Sequence, residues 1–234
     1  MTGITGGTDT IEPADEIAAG MIGIAVDSAE SRVIDAVVEC AGRWGIDKTT
    51  VDDVARAAGL SRATVYRLFP GGKPAMVRMA TRREVVAMLA EVLGGVDACD
   101  DLTDAVTELL RGGSSAVGNH PALAYMRRHE PGAVRAFLSL DRLEMIFGMA
   151  ADLLATSLQR FLAPPESREV VIWSARLVVS HYTHPDSGAP LTDPAIARRI
   201  ARSHVIAGLA ATGGLTGPRT STSTHPPPHQ GSTP

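Results

Sequence analysis

The sequence predicts an all-α protein with a small N-terminal helical domain and a larger C-terminal one. Apolar residues recur at helical spacing from about residue 28 to about residue 209, and no stretch alternates apolar and polar residues with the period of a β-strand. The composition agrees, because only 4% of the 234 residues are aromatic while Ala, Val and Leu are abundant. A chain of this length can bury a sizeable core.

Residues 50–69, TVDDVARAAGLSRATVYRLF, organise the rest of the chain and predict two short helices crossing at a tight turn. Thr50 with Asp53 resembles a capping box that opens the first helix, and Ser61 is placed to cap the second. Gly59 stands where the first helix must end in the left-handed conformation, which glycine adopts without a steric penalty. This pattern is typical of a helix-turn-helix unit, whose second helix lies in the DNA major groove.

The outward side of the second helix carries chemistry suited to DNA. Arginine can make a bidentate contact to guanine, and Thr or Tyr can reach a phosphate or a thymine methyl group. The alternative is a solvated helix-turn-helix that only packs inside an ordinary helical protein. The outward residues are Arg62, Ala63, Thr64, Tyr66 and Arg67.

The net charge of −4 is unevenly distributed along the chain. The first 42 residues hold one basic residue against eight acidic ones, whereas the segment from Arg43 to Arg83 holds nine basic residues against three acidic ones. Such an island of positive charge on an acidic chain indicates a surface for phosphate. The basic island consists of Arg43, Lys48, Arg56, Arg62, Arg67, Lys73, Arg78, Arg82 and Arg83.

Helical patterns precede and follow this unit. A first helix is expected from its N-cap Ser28 to Gly45, and a long helix should begin at Pro74, with Lys73 beside its phosphate-binding N-terminus. The pattern breaks from Gly94 to Asp101 and again at Gly112–Gly113. We expect four segments: a flexible acidic extension (1–27), a helix-turn-helix DNA-binding domain (28–73), a helical ligand-binding and dimerisation domain (74–215) and a disordered Pro/Ser/Thr tail (216–234).

The C-terminal half offers a dimer surface and candidate pocket residues. Residues 170–180 are apolar nearly all round, and 194–209 form a second such segment, which suggests a homodimer built as a four-helix bundle, with a fully intramolecular core as the alternative. Because charged residues are sparse inside these helices, a small apolar or amphipathic effector is favoured. The bulky candidates for its pocket, each of which could equally be plain core, are Tyr125, Phe137, Met145, Phe147, Met149, Trp173 and His181.

Other classes of protein find little support in the sequence. Cys40 and Cys99 are too few and too far apart to indicate a disulfide framework or a zinc site, and His181 with His184 fits loop histidines better than a metal site. Residues 17–26 form an apolar run that lacks Lys and Arg and is too short to span a bilayer, so we expect a cytoplasmic protein without membrane contact. No nucleophile elbow, phosphate loop or paired-cysteine motif appears, so we expect no enzyme activity and no cofactor or metal.

Residues 44–69, WGIDKTTVDDVARAAGLSRATVYRLF, followed by Lys73 and a long helix, resemble the N-terminal domain of TetR/AcrR-type transcriptional regulators. The resemblance covers about residues 30–90. It implies an all-helical homodimer that reads a palindromic operator and encloses a small-molecule inducer in its C-terminal domain. By position it also implies phosphate contacts from Thr49, Thr50 and Lys73, and groove contacts from Ser61, Arg62, Thr64, Tyr66 and Arg67.

Two residues depart from the family pattern. Leu68 stands where the family usually has His or Tyr, and an extra glycine precedes Lys73. The same motif also resembles that of LacI-type repressors, but those continue into alternating strands and helices, which this sequence does not. The hypothesis is therefore a ligand-released repressor. The alternative is a helical ligand-binding or scaffold protein whose helix-turn-helix no longer binds DNA.

Overall fold

The computed structural model describes residues 20, 23–130, 132, 140–185 and 190–211. All regular elements in these residues are helical, as expected. The helix of residues 194–200 continues directly into a π-helical segment, Ala201–Ile206, and a final helical turn, α10 (Ala207–Ala211). The helices are α1 (Ala29–Trp44), α2 (Val51–Ala57), α3 (Arg62–Leu68), α4 (Gly72–Asp97), α5 (Leu102–Asn119), α6 (Pro121–His129), α7 (Leu140–Leu158), α8 (Pro164–Thr183) and α9 (Pro194–Ile200).

The first three helices begin at the residues that the sequence predicts as N-caps. The Ser28 hydroxyl accepts a hydrogen bond from the Ser31 N–H at 3.0 Å, and Ser61 does the same for α3. At α2, the Thr50 hydroxyl accepts from the Asp53 N–H while the Asp53 carboxylate accepts from the Thr50 N–H, which completes a capping box. These caps satisfy N–H groups that would otherwise lack partners.

The turn between α2 and α3 depends on Gly59, whose φ of 65° confirms the expected left-handed conformation. The chain then bends so that the Leu60 N–H donates to the Ala55 carbonyl at 2.9 Å. Ala55 and Val65 are both buried at this crossing, so α3 packs closely on α2. The N-terminal core consists of Val33, Ile34, Ala36, Val37, Val54, Ala55, Ala58, Val65, Phe69, Met76 and Ala80.

The long helix α4 begins earlier and ends later than predicted. It starts at Gly72, two residues before Pro74, which fits the first turn because an N–H at that position would have no helical partner. It also runs through Gly94–Gly95 to Asp97. With 26 residues it is about 39 Å long. It therefore contributes to both hydrophobic cores.

The glycines that were expected to break α4 and α5 lie inside these helices, and three of the four leave space for a neighbouring side chain. A Cβ built at Gly95 or at Gly112 would lie 2.7 Å from the Glu108 Oε1 atom. A Cβ at Gly113 would lie 3.2 Å from the Val178 side chain of α8. The cost of glycine inside a helix is thus accepted where a neighbouring side chain needs the space. Both glycine pairs lie within continuous helices.

A larger C-terminal core is formed by the second half of α4 with α5, α7, α8, α9 and the segments that follow α9. Arg160, just after α7, donates to the carbonyls of Val96 and Asp97, so it satisfies acceptors at the end of α4. Among the described residues, none of the helices combines the length and hydropathy of a membrane span. The C-terminal core includes Val92, Val96, Ala105, Val106, Leu109, Leu110, Ala150, Leu154, Leu158, Val170, Val171, Ala197 and Ala201.

A partly buried polar network, here called the joint network, connects the helices of the two cores. Arg83 on α4 donates to Asp35 of α1 at 2.6 Å and to Glu84 at 2.8 Å. The second oxygen of Glu84 lies 3.1 Å from the Nε2 atom of His120, the N-cap of α6. His120 Nδ1 accepts from the Leu123 N–H, which leaves the ring proton on Nε2 for Glu84. The network therefore holds α1, α4 and α6 together.

Glu84 is the central acid of the joint network. Burial raises the pKa of this carboxyl, but the hydrogen bonds from His120 and Arg83 and the charge of Arg83 outweigh burial, so its pKa is lowered. The carboxylate is thus held in its charged form by its partners. A buried charge of this kind stabilises the fold only while those partners remain in place.

Replacing Glu84 by Gln should lower the free energy of unfolding by about 1–3 kcal/mol, because Arg83 and His120 then lose their charged acceptor. Since the pKa of Glu84 is depressed on folding, its contribution is complete above the ordinary value near 4.5 and is lost as the pH falls through the folded value. Urea titrations of wild type and Glu84→Gln between about pH 7 and about pH 3 should converge in the acid range.

Glu91→Gln is the matched control, because Glu91 is an exposed acid on the same helix. This variant should differ from wild type by less than about 0.5 kcal/mol. If the Glu84→Gln deficit were absent at neutral pH, or stayed constant across the acid range, the stabilising role of the ionised network would be refuted.

Candidate nucleic-acid interface and apolar cavity

Helix α3 presents four of the predicted contact residues on the surface. Arg62, Ala63, Tyr66 and Arg67 are exposed, and the Tyr66 ring lies over Gly72 at the start of α4. Val65 points the opposite way into the N-terminal core and is 1% exposed. The orientation of α3 is therefore set by its buried side, while its basic side remains accessible to a duplex.

Arg62 is held in place by weak, exchangeable contacts. Its Nη1 atom lies 3.1 Å from an Asp52 carboxylate oxygen of α2, and its Cζ atom lies 5.5 Å from the centre of the Tyr66 ring. The side chains of Arg62 and Asp52 are both more than half exposed, so this ion pair contributes little to stability. The pair orients Arg62 without preventing its transfer to a guanine.

Ser61 and Thr64 are used mainly to build the helix itself. The Thr64 N–H donates to the Ser61 hydroxyl at 3.1 Å, and the two hydroxyl groups lie 2.9 Å apart. Thr64 is half-buried. Both residues lie on the predicted side of α3, but their hydroxyl groups already form the N-terminal cap.

The predicted phosphate contacts before α2 have different environments. Thr49 is 4% exposed and its hydroxyl donates to the Gly45 carbonyl at 2.8 Å, so this hydroxyl already has a partner within the fold. Thr50 is exposed, but its hydroxyl donates to Asp53 at 2.6 Å within the capping box. That hydrogen bond and the one from the Thr50 N–H lower the pKa of Asp53.

Lys73 connects the start of α4 to the loop between α1 and α2. Its Nζ atom donates to the Asp47 carbonyl oxygen at 3.0 Å, in an exposed hydrogen bond. The extra glycine before Lys73 thus leaves the side chain directed toward the helix-turn-helix unit. An ammonium group at the surface retains donors for a phosphate in addition to this carbonyl.

Several members of the basic island have acidic partners within the fold. Arg83 is 16% exposed and belongs to the joint network. Arg43 lies 2.7 Å from Glu39, one turn earlier on α1. The charge pattern of the sequence counts cations but does not reveal these partners. The surface available to phosphate is therefore narrower than the island.

A cavity of about 170 Å³ lies among α1, α4, α5, α6, α7 and α8. Its wall is almost entirely hydrocarbon. The N-terminal core contributes directly to this wall through α1 and the loop that follows it. The lining includes Val37, Val38, Ala41, Ile46, Val77, Ala80, Val85, Met88, Gly113, Ala116, Val117, Ala122, Met126, Ile146, Ala150, Ala175 and Val178.

The bulky residues proposed for the pocket do not line this cavity. Met145 and Trp173 are 42% and 51% exposed. Tyr125 packs against His129, and His181 bonds the Leu177 carbonyl. Phe147 lies under the Arg176 guanidinium, Met149 is half-buried away from the cavity, and Phe137 lies outside the described residues.

Small side chains that point inward, and not bulky ones, mark the position of this cavity in the sequence. Gly113, Ala116, Ala150 and Ala175 lie at helix crossings, where larger residues would fill the space. The polar residues on the wall could not be recognised from periodicity, because they depend on which helices meet. They are Thr81, Glu84, His120, Ser174 and Tyr182.

The helix-turn-helix region matches a known family. Residues 33–78 match the family model described as bacterial regulatory proteins, tetR family. This span contains most of α1, all of α2 and α3, and the beginning of α4. These residues therefore carry the sequence pattern of the tetR helix-turn-helix region, and the matched family is one of regulatory proteins.

Relatives with similar sequences match about a third of the chain. An uncharacterized HTH-type transcriptional regulator of Mycobacterium bovis is 37% identical over 74 residues, which is 31% of this chain and 39% of the relative. One from Mycobacterium tuberculosis is 36% identical over the same coverage. The chain thus spans about two fifths of the length of these tetR-like relatives.

A similar fold extends beyond the helix-turn-helix region. The crystal structure of the TetR family repressor AlkX from a Dietzia strain, implicated in biodegradation of n-alkanes, superposes with a TM-score of 0.56 at 20% identity. The superposition covers 80% of this chain and 98% of AlkX. At this identity the likeness shows the tetR-type fold alone.

Replacing Asp52 by Asn should increase affinity for duplex DNA about 2- to 5-fold, because Arg62 loses its competing carboxylate and the surface loses a negative charge. Fluorescence anisotropy with labelled duplex at moderate salt measures this change. Asp100→Asn, an equal charge change at an exposed site between α4 and α5, is the control. An equal gain in both variants would show that Asp52 has no specific influence on Arg62.

Proposed function

We propose that this chain is a tetR-family DNA-binding transcriptional regulator whose helix α3 reads bases in the major groove. The observation that carries the proposal is the exposed group of Arg62, Tyr66 and Arg67 on a short helix anchored by buried Val65. The family match over residues 33–78 supports it independently. Two guanidinium groups on one accessible helix face provide the chemistry of guanine recognition.

The residues of this interface have distinct proposed roles. Arg62 and Arg67 contact guanine edges, while Ala63 lies against a thymine methyl group and Tyr66 reaches a phosphate. Lys73 contacts the DNA backbone, joined by Thr50 and by the cap residues Ser61 and Thr64. The remaining net charge of the chain is negative, so binding depends on the local cations and weakens as salt rises.

Arg62→Ala or Arg67→Ala should cost about 1–3 kcal/mol of binding to a specific operator and should relax the base preference at one position. The operator is first located by genome-wide footprinting of the purified protein. Affinities for this duplex and for a scrambled duplex are then compared by anisotropy over a range of salt.

Lys73→Ala is the matched control, since loss of a backbone contact should weaken operator and scrambled DNA alike. Circular dichroism checks that the helices remain intact when Lys73→Ala removes the hydrogen bond to the Asp47 carbonyl. Equal losses on both duplexes for Arg62, Arg67 and Lys73 variants would contradict base reading by the arginines. If the protein bound no DNA even at low salt, the proposal that it is a DNA-binding regulator would be contradicted.

We also propose a homodimer that binds a palindromic operator, and the exposed side of α8 supports this assembly. Trp173 is half exposed there, with the Arg176 guanidinium 5.2 Å from the centre of its ring. Large exposed aromatic residues are frequent centres of protein interfaces. Pairing of α8 and α9 with a second copy would form a four-helix bundle and set two α3 helices about 34 Å apart, one turn of DNA.

Trp173→Asp should dissociate this dimer, because the substitution places a charge at the centre of the buried surface. We expect a loss of about 2 kcal/mol or more in dimer stability, measured by sedimentation velocity over a concentration series. Trp44→Asp is the control, as Trp44 is 43% exposed on α1, far along the chain from α8. A Trp173→Asp protein that remained dimeric would place the interface elsewhere.

The proposed mode of regulation is release of a repressor by a small molecule in the cytoplasm. Residues 28–73 act as the DNA-binding domain and 74–215 as the ligand-binding and dimerisation domain, with the effector in the apolar cavity. Because α4 belongs to both cores, a shift of α4 changes the spacing of the two α3 helices. DNA affinity falls when the ligand favours the conformation with the wrong spacing.

A further inference from the structure

The apolar cavity contains a buried hydroxyl group without a hydrogen-bond partner. Ser174 on α8 lines the cavity and is 2% exposed, and its Oγ atom has no partner among the described residues. Buried hydroxyl groups in proteins are normally satisfied, often by a carbonyl of the preceding helical turn. An unsatisfied hydroxyl on a cavity wall can therefore form a hydrogen bond to a ligand atom.

Three of the four other polar residues on the wall already have partners in the protein. Glu84 is bonded by Arg83 and His120, and the second ring nitrogen of His120 accepts from the Leu123 N–H. The Tyr182 hydroxyl donates to the Leu123 carbonyl at 2.7 Å. Ser174 thus differs from these three polar residues on the wall in being available.

The volume and polarity of the cavity limit what it can hold. An engineered cavity of about 150 Å³ lined by hydrocarbon side chains stays dry and binds benzene, so about 170 Å³ suits a molecule of similar size. A bound water needs two to four polar partners, whereas Ser174 offers one hydroxyl. An ionised ligand would lack a free counter-ion here, because Arg83 is already paired with Asp35 and Glu84.

We propose that the cavity binds a small uncharged molecule that is mainly hydrocarbon and carries one hydroxyl or carbonyl group, which Ser174 holds by a hydrogen bond. The inference that this molecule is an effector rests on the proposed function. Ser174 selects for the polar group, and the alanine- and valine-rich wall selects for the hydrocarbon body.

The same ligand touches the part of the chain that carries the helix-turn-helix. Val37, Val38 and Ala41 of α1 and Ile46 of the following loop form one side of the cavity. Ala122 and Met126 of α6 also line the cavity. A ligand in the cavity therefore contacts α1 directly, and one that needs more room on this side displaces α1 and with it the N-terminal core.

Isothermal titration of the full chain with benzene, phenol and benzoate tests the ligand class. These probes share a ring and carry no polar group, one uncharged hydroxyl and one charge, respectively. Wild type should bind phenol about 2- to 10-fold more tightly than benzene and should not bind benzoate. In Ser174→Ala this preference for phenol should disappear while benzene binding is retained.

Ala175→Leu, which fills the cavity from the same helix, should abolish binding of both phenol and benzene. Ser174→Ala removes one oxygen atom and keeps the proposal testable if the larger side chain prevents folding. The inference is overturned if neither phenol nor benzene binds wild type, if benzoate binds most tightly, or if Ser174→Ala retains the phenol preference.

Operator binding measured in the same samples separates this inference from the proposed function. Operator binding without any phenol or benzene binding would overturn the ligand class and leave the regulator in place. Phenol binding that depends on Ser174, without DNA binding, would support the cavity site and refute the regulator. If phenol weakens operator binding, saturating operator must weaken phenol binding by the same factor, and unequal factors would refute direct coupling.

Discussion

The joint network of Asp35, Arg83, Glu84 and His120 is the interaction on which the arrangement of the two cores depends. Arg83 is a largely buried cation, 16% exposed, and such a charge is tolerated only with partners at hydrogen-bond distance. Those partners come from α1 and α4, and Glu84 extends the network to the N-cap of α6. Hydrophobic contacts between helices allow some sliding, whereas these directional bonds define one position of α1 against α4 and α6.

The sequence predicts local features of this protein well and long-range ones poorly. Ser28, Thr50 with Asp53, and Gly59 could be assigned because each cap or turn depends on residues within one helical turn. Gly95 could not, because its role depends on Glu108, which is distant in the sequence but packs against it. The buried side of Thr49 and the partners of Arg83 likewise depend on which helices meet. When the neighbouring helices are unknown, a glycine pair predicts the end of a helix, whereas in this fold both pairs lie inside helices.

The candidate interface illustrates why the number of cations predicts DNA binding only approximately. Arg83 and Arg62 are equivalent in the sequence, but Arg83 is largely buried and contacts two acids, whereas Arg62 shares one exposed carboxylate with solvent. Releasing Arg83 would remove the charged partner of the half-buried Glu84, whereas releasing Arg62 from Asp52 costs little. The burial of the ion pair, rather than the residue type, therefore decides which arginine can exchange its partner for a base.

Glu84 and His120 belong both to the cavity wall and to the joint network, so a change in the shape of the cavity acts on the hydrogen bonds of the network. The cavity is a region of low packing whose wall includes parts of α1 and α6, so a ligand there gains contacts that the empty protein lacks. The adjacent hydrogen bonds cannot lengthen much without breaking. Expansion of the cavity on the side of α1 and α6 would therefore rotate these helices about the network or break its bond between Glu84 and His120. Either response changes the orientation of α3, because α3 packs on α1 and α2 through a small core with little freedom to deform.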